Sequence, residues 1–327
     1  MRLILMLLAW LALAQAPALA QAPAWPTKPV HIIVPFGPGS TPDVVARLLA
    51  DSFQQTFAGS TFVLENKPGA SGNIGTDAVA KAEPDGSTIG VSIGGPLAIN
   101  TILFSQLKYD PGKDIAAITQ LITQPSVLAV NTSLGAASVA ELVAVIRRDP
   151  GKYTYGSIGI GSLSHLAMEA IAQKAIEHKA GTSMVHLPLQ SSPAAMTALL
   201  RGDVQIACLP AIAVTPHQQA DQIRMLAVST AQRSRFLPDL PTLKEAGIDV
   251  EADAWMGLIA PGGTSPTIIA QVNKAAKEAI FSAAVRDKLA AQLMEPVGNS
   301  PAEFRSVIDA EIGRWAPVIK AANIKVN

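Results

Sequence analysis

The sequence predicts an α/β protein of two domains, each built on a mostly parallel sheet flanked by helices, and three observations carry that reading. Short β-rich runs alternate with helical patterns almost throughout the chain, as in α/β units. Nine strand-like runs are more than one small sheet usually holds. No Gly/Ser-rich linker marks a boundary, as expected if the chain crosses between domains on strands, twice. The 327 residues, 49% of them hydrophobic, suffice for cores of this size.

The expected strands are Val30–Pro35, Thr61–Glu65, Thr88–Ile93, Val127–Asn131, Tyr153–Gly156, Met184–Leu187, Val204–Ala207, Arg224–Ser229 and Ala254–Ala260. The expected helices are Pro42–Phe57, Ile74–Ala82, Val139–Asp149, Ser162–Glu177, Pro193–Arg201 and Pro266–Phe281, with helices alone closing the C-terminal third. Ser138 with Glu141, and Ser300 with Glu303, have the spacing of capping boxes, in which hydroxyl and carboxylate satisfy each other's orphan backbone donors. Pro84-Asp85-Gly86 is a turn between a helix and a strand.

Residues 1–20 read as a secretory signal: Arg2, an apolar run from Leu3 to Ala14, and Ala18-Leu19-Ala20 before the expected cleavage point. That run is short for a membrane span, so an exported, periplasmic protein is expected. Its removal leaves 24 basic and 25 acidic residues, with no basic footprint for nucleic acid. Cys208, in the apolar run VQIACLP, has no cysteine to pair with and reads as a small buried hydrophobe. His31, His165, His178, His186 and His217 are scattered without metal-ligand spacing, and neither metal nor cofactor is expected. The sequon at Asn131 reads as chance.

Three glycine-rich turns precede helices. In VPFGPGSTPDVVARLLA (Val34–Ala50), Pro42 suits a first helical turn. Either Thr41 is the N-cap, or Ser40 is the N-cap and Asp43 reaches back as the capping-box acid. Both registers aim free N–H groups and the positive end of the helix dipole at the strand's C-terminal edge, where α/β sheets bind ligands. The turn lacks the lysine of a phosphate loop and the GxGxxG pattern, so a carboxylate or another small anion suits it as well; a simple well-capped helix is the competing reading. GSIGIGSLSHLAMEA (Gly156–Ala170) repeats the arrangement with Gly159, Gly161 and Ser162, and His165 reads as a structural histidine. NKPGASGNIGTDAVAKAEPDG (Asn66–Gly86) places Gly69, Ser71, Gly72 and Gly75 before a third helix. If the domains face each other, these helix starts converge on an anion-favouring cleft. No GxSxG, SxxK or carboxylate cluster marks a hydrolase, so an exported α/β hydrolase is the weaker alternative, testable by a Ser–His or Cys–His contact near the cleft.

The chain resembles the periplasmic receptors of the tripartite tricarboxylate transporters, the Bug family. The likeness rests on Trp25 to Val30, Val34-Pro35-Phe36 with Pro38-Gly39 and Asp43 to Arg47, and Glu65 to Ala70 with Gly72 to Gly75. It continues through Pro84-Asp85-Gly86, Tyr155-Gly156-Ser157, Ser162 to Leu166, Pro238 to Pro241, Trp255, Ala260-Pro261, Arg314-Trp315 and Val318 to Lys320. The resemblance implies a clam-shell of the type II periplasmic-binding-protein kind: residues 21–127 and 230–327 in one domain, 128–229 in the other. It implies capture of a small carboxylate, held by backbone amides and ordered water, and its delivery to integral membrane transporter components. A ligand sensor for a membrane signalling protein is an alternative role. The chain is expected to be a monomer. The implied binding loops run from Phe36 to Asp43 and from Ser157 to His165, with Asp43 available to a cationic ligand group. The residues expected to bind substrate are Phe36, Gly39, Ser40, Thr41, Asp43, Ser71, Ser157, Gly161, Ser162, His165 and Gln190. Ser40 stands where the family has a glycine, Pro42 where threonine is common, and Leu189 to Ser192 replace a glycine-containing turn.

Overall fold

In a computed structural model, residues 25–176 and 184–326 are described. The expected signal at 1–20, Glu177 at the end of one expected helix, and His178 lie outside them. The first half of the chain forms β1 (Val30–Val34), α1 (Thr41–Thr56), β2 (Phe62–Asn66), α2 (Asn73–Ala80), β3 (Thr88–Ile93), α3 (Asn100–Leu103), β4 (Ile115–Gln124), β5 (Ser126–Asn131), α4 (Val139–Arg148) and β6 (Thr154–Ser157). The second half adds α5 (Leu163–Ile176), β7 (Val185–Pro188), α6 (Ser192–Arg201), β8 (Ile206–Pro210), α7 (Ala211–Val214), β9 (Ile223–Val228), β10 (Ala254–Pro261), α8 (Pro266–Phe281), α9 (Ala283–Ala290), β11 (Glu295–Pro296) and α10 (Pro301–Ala321).

Every expected strand forms, with ends displaced by no more than three residues. Two strands lacked a sequence expectation, β4 and β11. The ten residues of β4, IAAITQLITQ, are largely buried on both faces, and their apolar and polar members show little period-2 alternation. Burial between two layers of helices accounts for that composition.

The six-stranded first sheet runs β11-β4-β10-β3-β1-β2, and the five-stranded second sheet runs β7-β6-β8-β5-β9. Both are mixed, with most strands of each sheet running one way and the rest reversed. The βαβ units pair in parallel, as β1 with β2 and β3 and β6 with β7 and β8. β10, entering from the other sheet, pairs antiparallel with β3 and β4, and β5 pairs antiparallel with β8 and β9. A strand that crosses over arrives from the opposite end of a sheet, so its direction is reversed.

Only Pro125 separates β4 in the first sheet from β5 in the second, and the chain returns between β9 and β10. Ser229, fully buried, ties these crossings: its Oγ accepts from the Ser126 N–H at 3.1 Å and lies 3.1 Å from both the Ala252 carbonyl and Asp253 Oδ1. α10 is a third connection. Its Phe304 and Ile308 pack with Ile33, Trp255 and Ile259 of the first sheet, while Trp315 and Ile319 pack with Tyr155 and Leu166 of the second half. Phe304 comes so close to β10 that a Cβ on Gly257 would lie 1.9 Å from its ring. Only glycine fits there.

The two predicted capping boxes differ in detail. Ser300 and Glu303 satisfy each other's backbone donors in full. Glu141 instead accepts from the Ala137 N–H, one residue before its Ser138 cap.

Candidate functional site

The C-terminal ends of β1, β3 and β6 open on one cavity of about 840 Å³ between the sheets. Three helix starts face it: Ser40 to Pro42 at α1, Ser162 to Ser164 at α5, and Ser191 to Pro193 at α6. Each start presents unpaired N–H groups and the positive end of a dipole. None of the described residues lining the cavity is Lys, Arg or His. The charged side chains in that lining are acidic, Asp253 and Glu311, so any attraction for an anion comes from backbone N–H groups.

Of the expected site residues, Phe36, Gly39, Ser40 and Thr41 line the cavity from the first half. Ser71, Gly161, Ser162 and Gln190 line it as well. Asp43, Ser157 and His165, also expected there, do not: each is a buried brace behind the lining. The physical reason is shared: their polar atoms are already consumed within the protein.

Asp43 is 1% exposed. Its carboxylate accepts from the Gly39 N–H at 2.9 Å, Asn66 Nδ2 at 2.9 Å, and Arg47 Nε and NH2 at 2.9 and 3.1 Å. Burial pushes its pKa up, but hydrogen bonds from Arg47, the Gly39 amide and Asn66, aided by the Arg47 charge, hold it below the usual carboxylate range. The N-cap of α1 is Ser40, whose hydroxyl makes no cap bond and is buried without a partner among the described residues. Asp43 has thus passed over the N-cap amide to grip the turn itself.

In the second loop, His165 Nδ1 accepts from the Gly161 N–H at 3.0 Å, which assigns its proton to Nε2 in the neutral ring. Ser164 Oγ accepts from the Ile158 N–H at 2.9 Å. Ser157, fully buried, lies 2.7 Å from His186 Nε2 and bonds within the turn to Gly159. The His165 and His186 rings stack with centroids 3.9 Å apart, and Tyr155 stacks on His186 at 4.8 Å. Burial pushes both histidines down to about 4, so both are neutral at neutral pH. The Ser157–His186 contact is the Ser–His pair that a hydrolase would show. Its oxygen is buried, outside the cavity lining and bonded within its own turn, so no substrate carbonyl reaches it.

The third loop is held by Asn100, whose Nδ2 donates to the Ser71 carbonyl at 3.2 Å and to Asn73 Oδ1 at 2.6 Å. Tyr109 donates to the Pro96 carbonyl at 2.7 Å. Ala70 and Ser71 both take left-handed backbone angles, φ 46° and 54°, which non-glycine residues adopt at a cost. This loop contributes Ser71 to the lining, and its helix start stands back from the cavity.

Sequence reasoning missed two parts of the wall. The start of α6 was readable from Ser191 before Ser192-Pro193, an N-cap and a first-turn proline. Gln124, Ser126, Asp253 and Glu311 come from the crossings and from α10, and no local pattern marks them. Among the described residues no group of His, Cys, Asp and Glu could hold a metal, and Cys208 is buried with its thiol pushed up to about 12 by burial.

Two α/β halves joined by crossing strands around a cavity ringed with helix starts define a class: the solute-binding receptors. Residues 45–324 match the family described as tripartite tricarboxylate transporter family receptor. The chain is 34% identical to protein BugT of Bordetella pertussis (strain Tohama I) over 327 residues, 99% of this chain and 98% of that one. Among solved structures, R. palustris Rpa4515 with adipate superposes with a TM-score of 0.78 at 34% identity, covering 92% of this chain and 99% of that one. MatC from Rhodopseudomonas palustris with bound malate gives a TM-score of 0.73 at 27% identity, covering 90% and 100%. The chain belongs to the tripartite tricarboxylate transporter receptor family, whose members are solute-binding receptors and not enzymes.

Proposed function

We propose that this chain is a periplasmic receptor that captures a small carboxylate in the cavity between its sheets and delivers it to the membrane components of a tripartite tricarboxylate-type transporter. The observation that carries this reading is the convergence of three helix starts on one cavity whose described lining has no cationic side chain. Backbone N–H groups bind an anion without the desolvation penalty of a buried lysine or arginine. Two similar proteins were solved with adipate and with malate, both carboxylates. In this reading the Phe36–Thr41 and Gly161–Ser162 turns are the two jaws, the closing domains are the halves built on the two sheets, which change over at Pro125 and just before β10 rather than at the expected 127 and 230, and residues 1–20 direct export. No helix among the described residues is long and apolar enough to cross a membrane, in keeping with delivery to a separate permease.

Thermal-shift measurement and calorimetry on residues 21–327 test the binding. A bound carboxylate adds about 2.7 kcal/mol of stability at a hundredfold excess over Kd. A shift with neutral sugars and none with any mono- or dicarboxylate would overturn the reading. Small-angle scattering checks the jaws: the ligand-bound form is expected to be more compact.

A further inference from the structure

The cavity wall is uneven in charge. Asp253, the residue before β10, lines the wall beside Gln124 and Ser126, where the chain crosses between sheets. Its Oδ1 accepts from Ser229 Oγ at 3.1 Å, and no other hydrogen bond reaches the carboxyl among the described residues. A carboxylate with a single neutral donor is under-satisfied. Glu311 lines the same wall but is complete, accepting from Arg314 NH1 at 2.9 Å and Trp315 Nε1 at 2.7 Å. Trp255, 5% exposed and also in the lining, has an indole N–H that closes no hydrogen bond, although Glu311 lies near enough to feel it. Asp253 is thus the acceptor on this wall that is short of donors.

Resting on the carboxylate-receptor reading, we propose that Asp253 is a specificity-determining residue that selects ligands carrying a hydrogen-bond donor, a hydroxyl or an ammonium, at the end away from the carboxylate. An ammonium or hydroxyl completes the Asp253 carboxylate. A second ligand carboxylate in the same place meets a like charge and binds only with uptake of a proton.

The surroundings make Asp253 responsive. Burial pushes it up to about 7, opposed by Ser229 and by the Arg314 charge and reinforced by Glu251 and Glu311. A donor-ended ligand therefore favours the ionised form and binds more tightly as pH rises from 6 to 8; a dicarboxylate does the reverse.

Calorimetry of residues 21–327 against two length-matched series tests this. The first is butyrate, succinate, 4-hydroxybutyrate and 4-aminobutyrate; the second is the corresponding six-carbon set. In at least one series the amino- and hydroxy-ended members are expected to bind about 10-fold or more tightly than the dicarboxylate at pH 8, since a charge-assisted hydrogen bond corresponds to about one decade or more in Kd. Asp253→Asn keeps the acceptor for Ser229 and is expected to cut that ratio to about 3-fold or less, whereas Asp253→Glu keeps its direction. A dicarboxylate that binds as tightly as the donor-ended member at pH 8, or a preference unchanged in Asp253→Asn, overturns the inference while leaving the receptor reading intact. Binding of no member of either series overturns the inference, while the receptor reading falls only if the wider mono- and dicarboxylate screen also fails.

Discussion

The two cavity loops solve one problem with opposite chemistry. In each, a glycine with positive φ, Gly39 at 80° and Gly161 at 75°, donates its N–H to a side chain four residues on, in the first turn of the following helix. In the first loop that acceptor is the Asp43 carboxylate, neutralised by Arg47 and held by Asn66. In the second it is the neutral His165 ring, stacked on His186 and backed by Ser157. A carboxylate at a helix start gains from the dipole, whereas a neutral ring accepts the same N–H without adding charge. The first loop shields its charge with Arg47; the second avoids charge.

The contrast is tested most strongly by Asp43→Ala. It strands the Gly39 and Asn66 donors and is expected to cost on the order of 2 to 4 kcal/mol in thermal or urea unfolding, with a further loss of carboxylate affinity as the turn loosens. A cost no larger than that of His165→Ala would remove the distinction between an ionic and a neutral brace. Next is Gly161→Ala, whose Cβ would stand 2.5 Å from the buried Leu103 side chain in addition to the left-handed strain. We expect a loss of about 2 to 3 kcal/mol.

The pH dependence separates the loops further. His165 and His186 have folded pKa values near 4, below the usual 6.5, so the unfolded chain binds more protons between these values. Their contribution is complete above about pH 6.5 and is lost as pH falls toward 4. After discounting for partly solvated rings, the loss is on the order of 2 kcal/mol, and a His165→Asn, His186→Asn double variant should flatten that part of the stability profile. Asp43, with its folded pKa lowered, contributes stability that is present above the usual carboxylate range and lost only at more acid pH, as its folded value is passed. A profile without a decline between pH 6.5 and 4 would break the assignment of neutral histidines to the second loop. The smallest effect belongs to Gly39→Ala, where no atom lies within 4 Å of the added Cβ. Only backbone strain remains, about 1 kcal/mol.

Local chemistry made most of the architecture legible. Ser265 before Pro266 marks the start of α8, and β3 occupies the residues its composition indicates. The glycine turns before α1 and α5 were readable because positive φ and a helix N-cap each leave a residue signature. β4 escaped because a strand covered on both faces loses its alternation, and the reversed strands escaped because strand direction depends on where the chain crosses.

Within the site, residue type identified the turns but not the roles inside them. Whether Asp43 meets a ligand or grips Gly39 depends on Arg47 and Asn66, four and 23 residues away. Asp253 and Glu311 reach the cavity only because β10 returns beside β4 and α10 spans both halves. The sequence by itself determined the α/β class and the helix starts with their glycine turns, since these follow from backbone propensities acting over a few residues. Tertiary structure alone decided which polar atoms are spent inside the protein and which remain for a ligand, because hydrogen-bond satisfaction is settled between segments far apart in the chain.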